Sequence, residues 1–202
     1  VQDVVDIYAH RKVPKYRDIH EGEGPFVIFV VNLKGGVSKT VSTVTLAHGL
    51  RVHPDLLQYD LRNLVIDLDP QASSTMFLNH ANSIGSIMET AAQAMLNDLD
   101  AEQLHSDIIQ PTIIPGVDII PASIDDGFVA SQWNDLVREH LPGVLPSEVL
   151  RRNIIDRVGK DYDFIFIDTG PHLDAFMLNA IAASDLLLTP TPPAQVDFHS
   201  TL

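Results

Sequence analysis

The chain has 202 residues, 45% of them hydrophobic, which suits one domain of ordinary size with a sizeable core. Zero cysteines exclude disulfides, thiolate zinc and thiolate-bound iron–sulfur clusters in this segment. A formal net charge of −14 argues against a nucleic-acid surface spread over the whole domain.

Residues 1–24 are polar and lead into "EGEGP", which reads as a linker or as the tail of a preceding domain. The chain starts Val1-Gln2-Asp3, with neither an initiator methionine nor an apolar signal segment. No apolar run approaches the roughly 18–20 residues a membrane helix needs. Arg11, Lys12, Lys15 and Arg17 form one small basic cluster, and Arg151, Arg152 and Arg157 another. Both are expected to be solvated faces.

From residue 26 onward, short apolar runs alternate with helical patterns. The runs cover residues 26–31, 64–67, 117–120, 164–168 and 186–189. Most are apolar at every position, as in a parallel sheet covered on both faces. Helices are expected over residues 87–96, 125–140, 147–158 and 176–183. Strands alternating with helices predict an α/β fold, doubly wound, with a mostly parallel sheet and helices on both faces. The segment "TVSTVT", residues 40–45, has strand propensity. It is assigned to a helix because of the loop before it. The closing "PPAQVDFHSTL" reads as a helix that begins and is cut off, so the core of residues 25–202 is expected to be truncated at its C-terminus.

That loop is "NLKGGVSKT", residues 32–40. A buried strand, a glycine turn and a helix in succession make the context of a phosphate-binding loop. Gly35 and Gly36 can adopt positive φ, and successive amides then form an anion nest at the positive end of a helix. Lys39 is positioned to reach the terminal phosphates, and the Thr40 hydroxyl to bind Mg²⁺. Against the pattern G-x-x-x-x-G-K-[ST], Leu33 and Ser38 stand where glycines belong. Ser38 is tolerable if its backbone is helical, because only positive φ demands glycine. The other strand ends supply acids. "LVIDLDPQASST" carries Asp67 and Asp69, and "FIFIDTGP" carries Asp168. Parallel sheets bind ligands at the carboxyl edge, so these acids should gather with Lys39 and Thr40 in one crevice. His172 reads as a turn residue and Trp133 as core or interface.

"KGGVSKT" resembles the deviant Walker A motif, K-G-G-x-x-K-[ST], of the ParA/MinD group of P-loop ATPases. "DLDPQASST" is similar to the group's D-x-D-P-Q motif and "FIFIDTGP" to its Walker B strand. With "PASIDD" and "LLLTPTPPAQVDF", the spacing looks most like the large ParA proteins that partition low-copy bacterial plasmids. The resemblance covers about residues 25–202 and implies ATP or ADP with Mg²⁺ in the loop formed by Lys34, Gly35, Gly36, Val37, Ser38, Lys39 and Thr40. It implies that Lys34 crosses a homodimer interface to the partner's phosphates, that Asp69 positions the attacking water, and that Asp67 and Asp168 lie in or near the metal shell with Thr40. Pro192, in "TPTPPAQ", is a candidate for the base pocket. The family further implies slow hydrolysis stimulated by a ParB-type centromere-binding protein, non-specific DNA association on the nucleoid in the cytoplasm, and operator binding through an N-terminal domain. A nucleotide-gated repressor and a MinD-like positioning switch are the alternatives. The latter would require a membrane helix beyond this sequence.

Overall fold

A computed structural model describes residues 1–79 and 89–192. Six strands form one sheet in the order β3-β4-β2-β5-β1-β6. They are β1 (Phe26–Val30), β2 (Asn63–Asp67), β3 (Gln110–Pro111), β4 (Val117–Ile120), β5 (Phe164–Asp168) and β6 (Leu186–Leu188). All pairings are parallel except β3 with β4. All five expected strands are present. The short antiparallel β3 was not foreseen, since two residues carry no periodicity.

Helices cover both faces. On one side lie α3 (Lys39–Val52) and α4 (Ser73–Leu78). Against them pack Val65 of β2, Val117 and Ile119 of β4 and Phe166 of β5. The larger cluster on the other face takes Val27 and Phe29 of β1, Leu64 and Ile66 of β2, and Ile165 and Ile167 of β5. It is closed by α5 (Ala91–Leu96), α8 (Trp133–His140), the helical run at residues 149–158, and α10 (Ala175–Ala183). Side chains alternate between the faces along a strand. With apolar cover on both faces, every position is apolar, and this explains the unbroken runs in the sequence. β6 departs from the rule, for Leu186, Leu187 and Leu188 are exposed on the outer strand.

The expected helix at 125–140 divides into α7 (Asp126–Ser131) and α8 at Gln132. Trp133 is core: its indole N–H donates to the Pro146 carbonyl at 2.7 Å and its ring meets Phe176 edge-on. The helix expected at 87–96 is seen from Ala91, capped by the Thr90 hydroxyl, while residues 87 and 88 lie outside the described residues. So does the helix expected after residue 192.

The polar segment at the start contains α1 (Gln2–His10) and α2 (Tyr16–Ile19). It is tied to the amino edge of the sheet by charge. Lys15 pairs with Asp60 at 2.8 Å and Arg17 with Asp163 at 3.1 Å. In the second basic cluster Arg151 pairs with Asp156, and Arg157 with Asp98.

Candidate functional site

Strand β1 delivers the chain to the carboxyl edge between β5 and β6, and residues 31–38 turn it into α3. The Asn32 side chain braces this turn. Its Oδ1 accepts the Lys34 amide at 2.8 Å, and its Nδ2 donates to the Pro190 carbonyl at 3.0 Å. The phosphate-loop candidate is thereby joined to the proline-rich loop after β6, where Pro192 is half-buried. Gly36 has φ +73°, and Gly35 does not have positive φ. Ser38 has φ 64° and ψ 27°, in the left-handed region. This corrects the expectation of a helical backbone there: the position does demand glycine's conformation, and serine adopts it under strain. Residues 40–45 are helical despite their β-branched composition.

Lys39, the first residue of α3, is buried, and its ammonium lies 3.4 Å from the Lys34 carbonyl inside the turn. Thr40 follows it on the side of β5. There its hydroxyl and the Lys39 charge both work to lower the pKa of Asp168.

The acids converge as expected. Asp67 and Asp168 are register partners at the ends of β2 and β5, and neither side chain reaches solvent. Burial pushes the Asp67 carboxyl up to about 8, and the neighbouring Asp168 charge adds to the rise. Asp168 is also raised, first by burial, with hydrogen bonds from Ser74 and Thr40 opposing the rise and the Asp69 charge reinforcing it. Two buried carboxylates side by side are an unfavourable arrangement unless a cation balances them. Asp69 is half-buried two residues beyond Asp67, and its Oδ1 accepts the Gln71 amide at 2.9 Å. Gly170 passes close: a β-carbon there would stand 3.3 Å from Asp69 Oδ1.

Asn32, Ser74 and Thr75 were not singled out from the sequence. Ser74 donates to Asp168 Oδ2 at 2.7 Å, and Thr75 donates to Asp67 Oδ2 through both its amide and its hydroxyl, each at 2.8 Å. The signal available was a pair of hydroxyls just after D-x-D-P-Q, but small polar residues there also suit a plain helix start. His172 stands in a turn, where its carbonyl accepts the Asp174 amide.

Among the described residues, no group of three or more His, Cys, Asp or Glu could by itself hold a metal ion. The donor set nevertheless fits Mg²⁺, which takes one or two carboxylates and leaves its other positions to water and phosphate oxygens. The Oδ1 of Asp168 is buried and has no hydrogen-bond partner.

A glycine turn between a buried strand and a helix, facing acids on neighbouring strand ends, defines a P-loop NTPase fold. The family profile matching residues 26–199 is described as an AAA domain, and the chain belongs to that family, as one of its ParA/MinD type. It is 59% identical over 202 residues to a plasmid partition protein A of Escherichia coli, covering 100% of this chain and 50% of that protein. It is 33% identical over 182 residues to protein SopA of Escherichia coli strain K12, covering 88% of this chain and 44% of the relative. Among solved structures, a partition protein superposes with a TM-score of 0.86 at 74% identity, covering 99% of this chain and 54% of that one. The chain spans about half the length of the curated relatives it matches.

Proposed function

We propose that this chain is the ATPase core of a plasmid partition protein, binding ATP with Mg²⁺ and dimerising when ATP is bound. The observation that carries the reading is the meeting of Lys39, Thr40 and the buried pair Asp67–Asp168 under the glycine turn. Two adjoining strand-end acids in the interior, one with an unpartnered oxygen, favour a site whose ligand brings positive charge. The names of the relatives, a plasmid partition protein A and a partition protein, support the cellular role.

In this reading, backbone amides of residues 35–40 and the amino end of α3 cradle the phosphates, and Lys39 cancels charge on the terminal groups. Thr40 and Asp168 would hold Mg²⁺, which when bound neutralises phosphate charge. Asp69 accepts a hydrogen from the attacking water, whose oxygen bonds to the γ-phosphorus as the bridging bond to ADP breaks. Lys34 supplies a second cation across a dimer interface, so ATP binding and dimerisation become one linked event. Stimulation by a ParB-type protein, non-specific DNA association on the nucleoid, and operator binding through a further domain are the finer parts of the proposal. No helix among the described residues is long and apolar enough to cross a membrane.

Sedimentation velocity with ATP, ADP and a non-hydrolysable analogue tests the core of this reading. Wild type should dimerise with ATP or the analogue and remain monomeric with ADP. Lys39→Ala should lose nucleotide binding, Lys34→Ala should bind nucleotide yet stay monomeric, and Asp69→Ala should dimerise without turnover. Normal dimerisation and hydrolysis by Lys34→Ala would refute the role in trans.

A further inference from the structure

Asp67 and Asp168 occupy equivalent places on adjoining strands, yet α4 treats them differently. Asp67 Oδ2 receives the Thr75 amide and hydroxyl, each at 2.8 Å, and its Oδ1 receives the Asp69 amide at 3.0 Å. Both its oxygens are taken by donors of the protein. Asp168 receives the Ser74 hydroxyl on Oδ2 at 2.7 Å, with the Thr40 hydroxyl also acting on the carboxylate, and its Oδ1 has no hydrogen-bond partner. Ser74, Thr75 and both acids are fully buried. Carboxylate rotation about its last bond is broad and roughly two-fold. The short Ser74 hydrogen bond to Oδ2 fixes the plane and leaves Oδ1 presented.

We propose that Ser74 is a positioning residue that holds Asp168 Oδ1 open toward the divalent cation accompanying a bound nucleotide, while Thr75 withdraws Asp67 from coordination. Asp67 serves instead as a brace, holding the Asp69 amide and so the turn that carries the Asp69 side chain. This assignment rests on the nucleotide reading above. Mg²⁺ demands near-ideal octahedral geometry, so a carboxylate free to rotate binds it worse than one held in place. Outer partners of metal ligands commonly govern about 10–100-fold in metal affinity.

The test uses fluorescent N-methylanthraniloyl-ADP, titrated first in EDTA and then at fixed nucleotide with increasing MgCl₂. Ser74→Ala should bind the probe in EDTA as wild type does. It should need about 10–100-fold more Mg²⁺ for its half-maximal response. Asp168→Asn should shift the half-point at least as far, whereas Thr75→Val should leave it within about threefold and Asp67→Asn should shift it less than Asp168→Asn does. A merely structural role for Ser74 would weaken the EDTA affinity as well. Ser74→Cys, nearly the same size but a poor donor, repeats the test if the alanine variant fails to fold. The assignment is overturned if Ser74→Ala keeps the wild-type half-point, or if Asp67→Asn shifts it as far as Asp168→Asn. A wild type with no magnesium response would sink the nucleotide reading itself, and this inference with it.

Discussion

Ser38 holds φ 64° at the start of α3, and Ala72 holds φ 52° at the start of α4. Neither side chain caps its helix. A non-glycine residue in the left-handed region costs on the order of 1–2 kcal/mol, and such strain gathers at functional sites. Here both strained residues launch the helices that carry the site's hydroxyls, Thr40 on one and Ser74 and Thr75 on the other. Ser38→Gly should therefore stabilise the nucleotide-free protein by about 1 kcal/mol, partly offset by glycine's greater freedom when unfolded. Urea unfolding monitored by circular dichroism measures it, and an unchanged or lower midpoint would refute the strain. The meeting of Lys39, Thr40, Asp67, Asp69 and Asp168 at one sheet edge was legible, because a loop between strand and helix and acids at strand ends are local patterns. The backbone angle of Ser38 was not, since nothing in its neighbours distinguishes a helical serine from a left-handed one.

Helix α3 joins the site to the opposite edge of the sheet. It begins with Lys39 and Thr40 and carries buried Arg51 in its last turn. Arg51 donates through Nε to the Pro115 carbonyl at 2.7 Å, through Nη1 to Asp60 Oδ1 at 2.8 Å and the Leu61 carbonyl at 3.0 Å, and through Nη2 to Gln2 Oε1 at 3.4 Å. Burial alone would raise the Asp60 pKa, yet hydrogen bonds from Lys15 and Arg51 hold it below the ordinary value. Gly116, at φ +88°, makes room, because a β-carbon there would fall 2.4 Å from Arg51 Nε. The guanidinium is the far end of a flexible side chain, but it can move away only by abandoning these partners. Gly116→Ala should accordingly cost about 3–5 kcal/mol, the scale for breaking a buried ion pair, read as a lower urea midpoint. The helix itself is made by its surroundings. Thr40, Val41, Thr43, Val44 and Thr45 are weak helix formers, so a synthetic peptide of residues 39–52 should show no helical signal in water. A strongly helical peptide would contradict this.

At the scale of the whole molecule, buried acids set how stability responds to pH. The Asp67 carboxyl rises from 3.8 to about 8 on folding. Between those values the folded chain keeps a proton that the unfolded chain has lost, so this group's contribution to stability falls as pH rises from about 4 to about 8, while His48, lowered by burial, acts the other way. The slope from this group is at most about 1.4 kcal/mol per pH unit. Asp126, Asp163 and Asp168 are shifted in the same direction, chiefly by burial, and Asp60 in the other. Nucleotide-free protein should thus unfold at lower urea at pH 8 than at pH 5. Saturating ATP with Mg²⁺ should flatten the difference, since a cation beside the acids removes the reason to hold the proton. A midpoint that rises with pH in the free protein would show that these acids do not control its stability.

The sequence by itself determined the sheet and where its glycine loop and strand-end acids lie. Strands buried on both faces are apolar throughout, and a phosphate loop and its acids follow strand ends at readable spacing. Only the tertiary structure decided which hydrogen bonds each acid receives. Asp67 and Asp168 are 101 positions apart in the chain, and β2–β5 pairing makes them neighbours. The hydroxyls of α4 then fill one and leave an oxygen of the other open. Such distinctions depend on which donor reaches which oxygen to within a few tenths of an ångström. Residue types along a chain do not carry that information until the fold brings the partners together.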